Sequence, residues 1–257
     1  MKNKKIIINS VLLLIIICTI YFFYFRKNTQ EEETTPTSET IDIFGLADEP
    51  APLVGDPNFL KSIRLDVPLE SQFADEALEN GCEITSLSML LRYYGYEVNK
   101  NKLSNLLNYQ PYKVEKKYKG DPNLGFVGDI KAGKQAMGVY VKPIALVAKQ
   151  IVSTEFEIVA SEGRPFADIL QVLQKDTPVW ILSTVDMQIP TEKDFIDWPT
   201  KTGTLKVTPL IHSVVLTGMG EKNVYYNDPY GEKNAHVSIE TLQEVYESMG
   251  EQALYLK

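Results

Sequence analysis

Hydrophobic side chains recur every three or four residues in the stretch that follows Gly81. They are Ile84, Leu87, Leu90, Leu91 and Tyr94. This spacing places them on one face of a helix, so the pattern predicts an amphipathic α-helix with one buried stripe. Gly95 follows directly and is the residue type that commonly ends a helix. Cys82 therefore lies in the first turn of a predicted helix.

Strand patterns dominate the second half of the chain. Val179–Leu182 is a continuous apolar run bounded by turn residues, which predicts a central strand buried on both faces. Ile211–Thr217 and Asn223–Asn227 flank a short turn and predict a β-hairpin. Polar, turn-rich loops are expected at 120–129 and 186–204. The remaining predicted elements are an edge strand at 63–69, a short helix capped by Asn99, a segment at 139–147 that begins as strand and becomes helix, a strand at 156–160, a helix with an apolar stripe at 166–173, a final helix capped by Ser238 and a closing strand at 253–256.

The order of these elements indicates the fold class. Helices and strands mix without a regular strand-helix-strand rhythm, and hairpins are concentrated late in the chain. This order predicts an α+β domain in which an antiparallel sheet packs on helices. Hydrophobic residues make up 44% of the chain and charged residues 23%, which is the composition of a folded protein with a sizeable core.

An apolar segment near the N-terminus, Ile6–Phe25, predicts a membrane anchor. It carries no charge and is long enough to span a bilayer as a helix. A cleaved signal peptide is the alternative, although its apolar region would be shorter and no small-residue cleavage site follows. Lysines precede the segment and the chain soon turns acidic after it, so residues 1–5 are expected in the cytosol and the rest outside the cell. The lipid bilayer is thus an expected partner of residues 6–25.

Residues 26–60 have the composition of a linker. Between Asn28 and Leu60 the chain has eight acidic residues, no basic ones and four prolines. Such a stretch is typical of a solvated connection rather than a packed element. The folded domain is therefore expected at 61–257. The net charge of −8 argues against a nucleic-acid partner.

Cys82 is the candidate nucleophile. At the start of a helix it faces unpaired N–H groups and the positive end of the helix dipole, which both favour thiolate over thiol. Gly81 has no side chain, so a substrate could approach the sulfur closely. After the apolar segment Cys82 has no second cysteine to pair with, which in an exported domain indicates a reactive thiol. The alternative is a small buried residue on the core face of the helix. The sequence contains no Cys/His cluster, so neither a zinc site nor a cofactor is expected.

A cysteine nucleophile needs a base, and the chain offers only His212 and His236. His212 begins one strand of the predicted hairpin and Asp228 ends the other, so pairing brings both to one edge of the sheet. A symmetric turn would leave them offset by about three residues, or about 10 Å, so direct contact requires a bulge or an uneven loop. His236 lies in a polar stretch and is expected to be exposed.

Two further roles complete the hypothesis. Asp228 would orient the imidazole of His212, while the Gln72 side chain and the Cys82 backbone N–H would donate to the oxyanion of the reaction. Each residue also has a plainer interpretation. These are a structural or solvent-facing histidine, a turn-forming aspartate and an ordinary loop glutamine.

Five stretches of the chain, taken in order, carry a family resemblance. They are Leu65–Gln72, Asn80–Gly95, Gly125–Gly128, His212–Gly218 and Asn227–Tyr230. Together they resemble the landmarks of the C39-like branch of the papain-like cysteine peptidases, over a region from about Ile63 to Lys257. The resemblance implies a papain-like fold. It also implies that Cys82 is the nucleophile, His212 the general base, Asp228 the residue that orients the base and Gln72 the oxyanion donor.

The resemblance has a limit that narrows the expected function. The best-known C39 peptidases are fused to export transporters and trim leader peptides after a double glycine. This chain has one predicted membrane span and no phosphate-binding loop of the type GxxxxGK[ST], so neither a nucleotide partner nor leader processing is implied.

The predicted function is therefore a membrane-anchored thiol hydrolase that cleaves peptide bonds of peptides or proteins outside the cytosolic membrane, through an acyl-enzyme on Cys82. One alternative keeps the site but acts on cell-wall peptides or transfers the acyl group to an amine. Another, from a different class, is a surface module that binds peptides without cleaving them.

Overall fold

The structure is a computed structural model and describes residues 62–115 and 117–257. Its strands are β1 (Ile63–Arg64), β2 (Tyr109–Gln110), β3 (Phe126–Gly128), β4 (Ala136–Gly138), β5 (Ile158–Ser161), β6 (Val179–Thr184), β7 (Ile196–Thr200), β8 (Gly203–Val207), β9 (Ile211–Met219), β10 (Asn223–Asp228), β11 (Glu232–Ser238) and β12 (Ala253–Leu256). Its α-helices are α1 (Cys82–Tyr93), α2 (Lys100–Ser104), α3 (Val141–Ala148), α4 (Phe166–Gln174) and α5 (Ile239–Ser248).

A seven-stranded sheet forms the centre of the described residues. Its order is β11-β10-β9-β6-β12-β5, with β1 beside one end of β9. Every neighbouring pair in this sheet is antiparallel. Strand β6 lies in the interior of the sheet and all of its residues are buried, which confirms the predicted central strand. Helices pack on the sheet, so the predicted α+β class is confirmed.

Helix α1 begins at Cys82 as predicted, and Gly95 follows its end with a left-handed φ of 85°. All of its residues from Cys82 to Leu91 are buried, which is more than the single stripe that the periodicity predicted. The reason is that α1 contacts β6 and β9 as well as α2 and α3. Trp180 of β6 fixes this packing, because its Nε1–H donates to the backbone oxygen of Glu83 at 2.9 Å.

Both predicted helix caps are present. The Asn99 side chain accepts the Lys102 N–H at 2.8 Å at the start of α2. The Ser238 hydroxyl accepts the Thr241 N–H at 3.0 Å at the start of α5. In each case a side-chain oxygen pairs a backbone donor that the helix itself leaves unpaired, which is why these residue types begin helices.

The prediction of a polar loop at 186–204 is wrong in its second half. After two short 3-10 turns, β7 pairs with β8 in an antiparallel hairpin. Trp198 of β7 is buried and donates its Nε1–H to Gly120 O at 2.8 Å. It forms a second small core with three other side chains, Val127, Met137 and Val207. Trp198 and Thr200 are buried in β7, but the apolar Ile196 is exposed, so its sequence shows no clear apolar alternation.

Three other short elements differ from the expectation. Strand β1 is shorter than the predicted 63–69, with one further backbone bond from Leu65 N to Thr217 O at 2.6 Å; Pro68 has no N–H to extend the pairing. Strand β3 lies within the expected loop at 120–129 and forms a small sheet with β2 and β4. Strand β11 was not predicted, although His236 within it is exposed, as expected.

The predicted anchor at 6–25 and the predicted linker at 26–60 lie outside the described residues. Within 62–115 and 117–257, none of the helices has the length and apolar character needed to cross a bilayer.

Candidate active site

The first turn of α1 presents Cys82 at the N-terminal end of the helix. Cys82 is a free cysteine with 8% of its surface exposed. Gly81 occupies the N-cap position and has no side chain, so it does not cap an N–H group of the first turn. A Cβ at this position would lie 2.6 Å from the Leu78 Cβ. The glycine is therefore required by the packing of the preceding loop, a reason that differs from the substrate access suggested by the sequence.

Hydrogen bonds at Ser213 attach β9 to α1 and to β6. Ser86, one turn after Cys82, donates its hydroxyl to Ser213 O at 2.9 Å. The Ser213 hydroxyl in turn donates to Ile181 O at 2.9 Å. The backbone of Ser213 and of Glu83 faces the sulfur of Cys82 and acts to lower its pKa. The sulfur therefore lies beside the residue that follows His212 in β9.

Burial is the largest influence on the Cys82 thiol, and it opposes ionisation. Burial raises the pKa of Cys82 well above its usual value, and the neighbouring carboxyl of Glu83 raises this pKa further. The Glu83 Oε2 atom lies 3.3 Å from the sulfur. These effects work against the resting thiolate that the helix end alone was expected to produce. A base that takes the thiol proton is therefore needed for the sulfur to react.

A β-bulge in the β9–β10 pairing puts His212 and Asp228 on the same face of the sheet. Thr217 is skipped between successive pairs of the ladder, which ends with Asn227 opposite Val215. Continued by one residue, this register sets Asp228 opposite Val214, two residues from His212. Without the skip, Asp228 would fall opposite Val215, and an odd offset would point the two side chains to opposite faces. His212 Nε2 and Asp228 Oδ1 are 3.0 Å apart. The bulge that a direct contact between His212 and Asp228 was expected to require is therefore present.

The second ring nitrogen of His212, Nδ1, makes no hydrogen bond within the described residues. His212 is 1% exposed, and its Nδ1 has no partner among the described residues. Asp228 Oδ1 also accepts the Tyr230 N–H at 2.7 Å, which holds the carboxylate in place. The Tyr230 ring packs against the imidazole, with centroids 4.7 Å apart, and against the exposed ring of Phe73 at 5.2 Å. Because Nε2 is paired with Asp228, Nδ1 is the nitrogen available to accept a proton.

Gln72 is buried between the start of α1 and the loop after β10. Its backbone N–H donates to Pro229 O at 2.8 Å. Its side-chain Nε2 donates to the backbone oxygen of Glu79, three residues before Cys82, at 2.8 Å. Its Oε1 has no hydrogen-bond partner in the described part of the chain. An amide nitrogen carries two hydrogens, so one remains for another acceptor.

The structure adds residues to this region that sequence reasoning did not identify. They are Glu83, Ser183, Ser213 and Tyr230. Ser183 pairs directly with His212 across β6 and β9, and its buried hydroxyl has no partner among the described residues. Glu83 carried a signal in the sequence as a carboxyl next to the candidate cysteine, and Ser213 and Tyr230 lie within stretches that carry the family resemblance. An acid in the first turn of a helix is ordinarily explained by the helix dipole, which hid that signal.

Three comparisons with known proteins bear on the family and the fold of the chain. The sequence model of the Peptidase_C39 like family matches residues 64–254. The uncharacterized protein YvpB of Bacillus subtilis strain 168 is 39% identical over 193 residues, which cover 75% of each chain. A crystal structure of a candidate C39-like peptidase from Bacillus anthracis has a TM-score of 0.71 and 30% identity, and the match covers 77% of this chain and 98% of that one. The structural likeness confirms the papain-like fold class.

Proposed function

Because the chain belongs to the C39-like peptidase family, we propose that it is a cysteine peptidase in which Cys82 attacks peptide bonds. One observation carries the proposal: His212 is hydrogen-bonded to Asp228 through Nε2, while its buried Nδ1 has no partner among the described residues. A histidine that served only the core would be expected to have both ring nitrogens paired. This nitrogen belongs to His212 of β9, the strand that packs against α1 and faces the sulfur of Cys82 through the backbone of Ser213.

The first half of the proposed reaction forms an acyl-enzyme. His212 Nδ1 takes the proton from Cys82 Sγ as the sulfur attacks the substrate carbonyl carbon. Asp228 accepts a hydrogen bond from His212 Nε2–H, which fixes the tautomer of the ring and stabilises the imidazolium. The carbonyl oxygen becomes an oxyanion, for which the second Nε2–H of Gln72 and the Cys82 backbone N–H are the proposed donors. The imidazolium then protonates the amide nitrogen, the C–N bond breaks, and the amine leaves.

The second half of the reaction releases the product. A water molecule attacks the thioester carbon while His212 takes one of its protons. The C–S bond breaks, the carboxylic acid leaves, and the proton returns to the sulfur. An amine in place of water would give acyl transfer at the same site.

We further propose that the reaction takes place outside the cytosolic membrane, with residues 6–25 as an anchor in the lipid bilayer and 26–60 as a linker. The support is the uncharged apolar stretch and the distribution of charge on either side of it. The proposed substrates are peptides or proteins. Hydrolysis of cell-wall peptides and acyl transfer use the same residues and are distinguished by substrate. A binding module without catalysis has no need of the buried His212–Asp228 pair.

Cleavage assays on the full-length chain test the proposal. The chain, purified in detergent, is incubated with peptide libraries and with cell-wall fragments, with and without an added amine. We expect Cys82→Ala and His212→Ala to abolish cleavage. We expect Asp228→Ala to reduce kcat strongly, because His212 loses the acceptor that holds its productive tautomer, whereas Asp228→Asn, which keeps an accepting Oδ1, should retain more of the activity. His236→Ala is the matched control, since it removes an exposed histidine, and should retain full activity.

Several results would change the assignment. Undiminished cleavage by His212→Ala would exclude the proposed base. Turnover of wall fragments alone would select the cell-wall alternative, and a product that carries the added amine would select acyl transfer. Peptide binding with no cleavage by the wild-type chain would identify a binding module.

A further inference from the structure

Glu83 is a buried carboxyl group in direct contact with the proposed nucleophile. Its side chain is 1% exposed. One oxygen, Oε1, accepts the Val139 N–H at 3.0 Å, and the other, Oε2, accepts a hydrogen bond from the Cys82 thiol at 3.3 Å. Gly138 adopts a left-handed φ of 88°, and a Cβ there would collide with Oε1. The backbone of β4 thus leaves space that the carboxyl group fills.

Burial without an ion-pair partner favours the neutral form of Glu83. Among the described residues no lysine or arginine forms an ion pair with it. The titratable groups that face it are Cys82 on its own helix, His212 on β9 and Tyr230 after β10, with Asp228 beyond His212. Burial is the largest effect and raises the pKa of Glu83, while the Val139 N–H, the Cys82 thiol and the charge of His212 act to lower it. A carboxyl group that keeps its proton can donate a hydrogen bond, which a carboxylate cannot.

We propose that Glu83 holds a proton on Oε2 and donates it as a hydrogen bond to the Cys82 thiolate, so that ionisation of Glu83 switches the nucleophile off. The inference rests on the proposed function in taking Cys82 as the nucleophile and His212 as its base. It assigns to Glu83 a role in setting the reactivity of the sulfur, beyond the packing of a first helical turn.

The proton balance of this switch is simple. In the active state His212 has taken the thiol proton, and the resulting thiolate accepts a hydrogen bond from Glu83 Oε2–H. When Glu83 loses its proton to solvent, two buried anions would adjoin. The imidazolium then returns its proton to the sulfur, and the thiol donates to the new carboxylate instead. One proton leaves the protein, and no bond other than those to hydrogen changes.

Alkylation of Cys82 in Glu83→Gln tests the switch. Glutamine keeps the shape of the side chain and can donate its Nε2–H to the sulfur, but it does not ionise. Full-length wild-type and variant chains react with iodoacetamide across pH, and the Cys82 peptide is quantified by mass spectrometry so that Cys18 does not contribute. We expect similar rates at the acidic end, where Glu83 is protonated. At about pH 8 we expect the variant to react about tenfold faster, the change in thiolate fraction that one pKa unit produces.

Glu70→Gln is the matched control. Glu70 is also largely buried and accepts the Ser88 hydroxyl of α1 at 2.5 Å, but no contact joins it to the sulfur within the described residues. Its alkylation profile should equal that of the wild type. Difference infrared spectra between the wild type and Glu83→Gln provide a second measurement on folded wild-type protein. A protonated-carboxyl band should be present at low pH and should disappear over the pH range in which the alkylation ratio grows.

Two results would overturn the inference: an alkylation ratio that does not change with pH, or a carboxylate band for Glu83 at every pH at which the chain is folded. Neither measurement uses peptide cleavage. Absence of cleavage together with the expected alkylation and infrared profiles would therefore reject the proposed function and leave the proton on Glu83 established. Normal cleavage with unchanged profiles would reject only the role of Glu83.

Discussion

At the scale of single residues, three buried polar atoms lack hydrogen-bond partners among the described residues: Gln72 Oε1, Ser183 Oγ and His212 Nδ1. Each unpaired buried group costs about 1–3 kcal/mol of folding free energy. Gln72 and His212 belong to the proposed site, and Ser183 lies directly opposite His212 on β6. Packing faults would be scattered through the core, so this grouping favours a site in which a bound polar molecule pairs them.

Replacement of Ser183 tests whether its hydroxyl is truly unpaired. We expect Ser183→Ala to leave the free energy of unfolding unchanged or to raise it by up to about 1 kcal/mol, because no hydrogen bond is lost. Ser213→Ala on the neighbouring strand is the matched comparison, since that hydroxyl donates to Ile181 O at 2.9 Å. It should lower the free energy of unfolding by about 1 kcal/mol. Urea titration measures both. Equal losses would show that Ser183 has a partner in the folded chain.

At the scale of elements, the site depends on how α1 is attached to β9. Cys82 is on the helix and His212 is on the strand, so their relative position is set by the contact between the two elements. The Ser86 hydroxyl makes this contact one turn from Cys82, at the backbone oxygen of the residue after His212. Ser88 is also buried on α1 but donates instead to Glu70, in the segment before the helix.

Variants of Ser86 and Ser88 distinguish an effect on the stability of the fold from an effect on the alignment of Cys82 with His212. We expect Ser86→Ala and Ser88→Ala each to lower the free energy of unfolding, by about 1 kcal/mol for the neutral acceptor and about 1.5–3 kcal/mol for the carboxylate acceptor. Only Ser86→Ala should also lower kcat for peptide cleavage, by about tenfold to a hundredfold, because small displacements of reacting groups have large effects. A similar fall in kcat in Ser88→Ala would mean that general loosening of α1, and not its contact with β9, limits the reaction.

At the scale of the whole molecule, the buried acids of the site link stability to pH. Burial raises the pKa of Glu83 above its usual value of 4.5. Between the unfolded and the folded pKa, the folded chain binds more protons than the unfolded chain. The contribution of Glu83 is therefore fully present below about pH 4.5 and is lost as the pH rises through the folded pKa. The raised pKa of Cys82 acts in the same direction at alkaline pH.

Urea unfolding at a series of pH values measures this linkage. We expect the free energy of unfolding of the wild type to include a decline above about pH 4.5 that Glu83→Gln removes, because glutamine does not titrate. Glu240→Gln is the control, as Glu240 is also in the first turn of a helix but is exposed. That variant should keep the wild-type slope. Identical slopes in the wild type and Glu83→Gln would show that the carboxyl titrates alike in both states.

Much of the local structure was predictable because it depends on residues close together in the chain. The start of α1 at Cys82, the central strand β6 and the caps Asn99 and Ser238 all agree with the sequence pattern. Strand β7 did not, since Trp198 is buried partly by elements distant in sequence and the apolar Ile196 of the same strand is exposed. A pattern is visible only where one face of an element is buried throughout.

By itself the sequence determined the helix that bears Cys82, the hairpin that bears His212 and Asp228, and the family to which those stretches are similar, because periodicity, turn residues and motifs are local properties. Only the tertiary structure decided that one residue of β9 is skipped, which brings His212 and Asp228 onto one face. It also decided that Cys82 and Glu83 are buried together. Strand register and burial depend on which distant segments pack against an element, and the order of residues within that element does not contain this information.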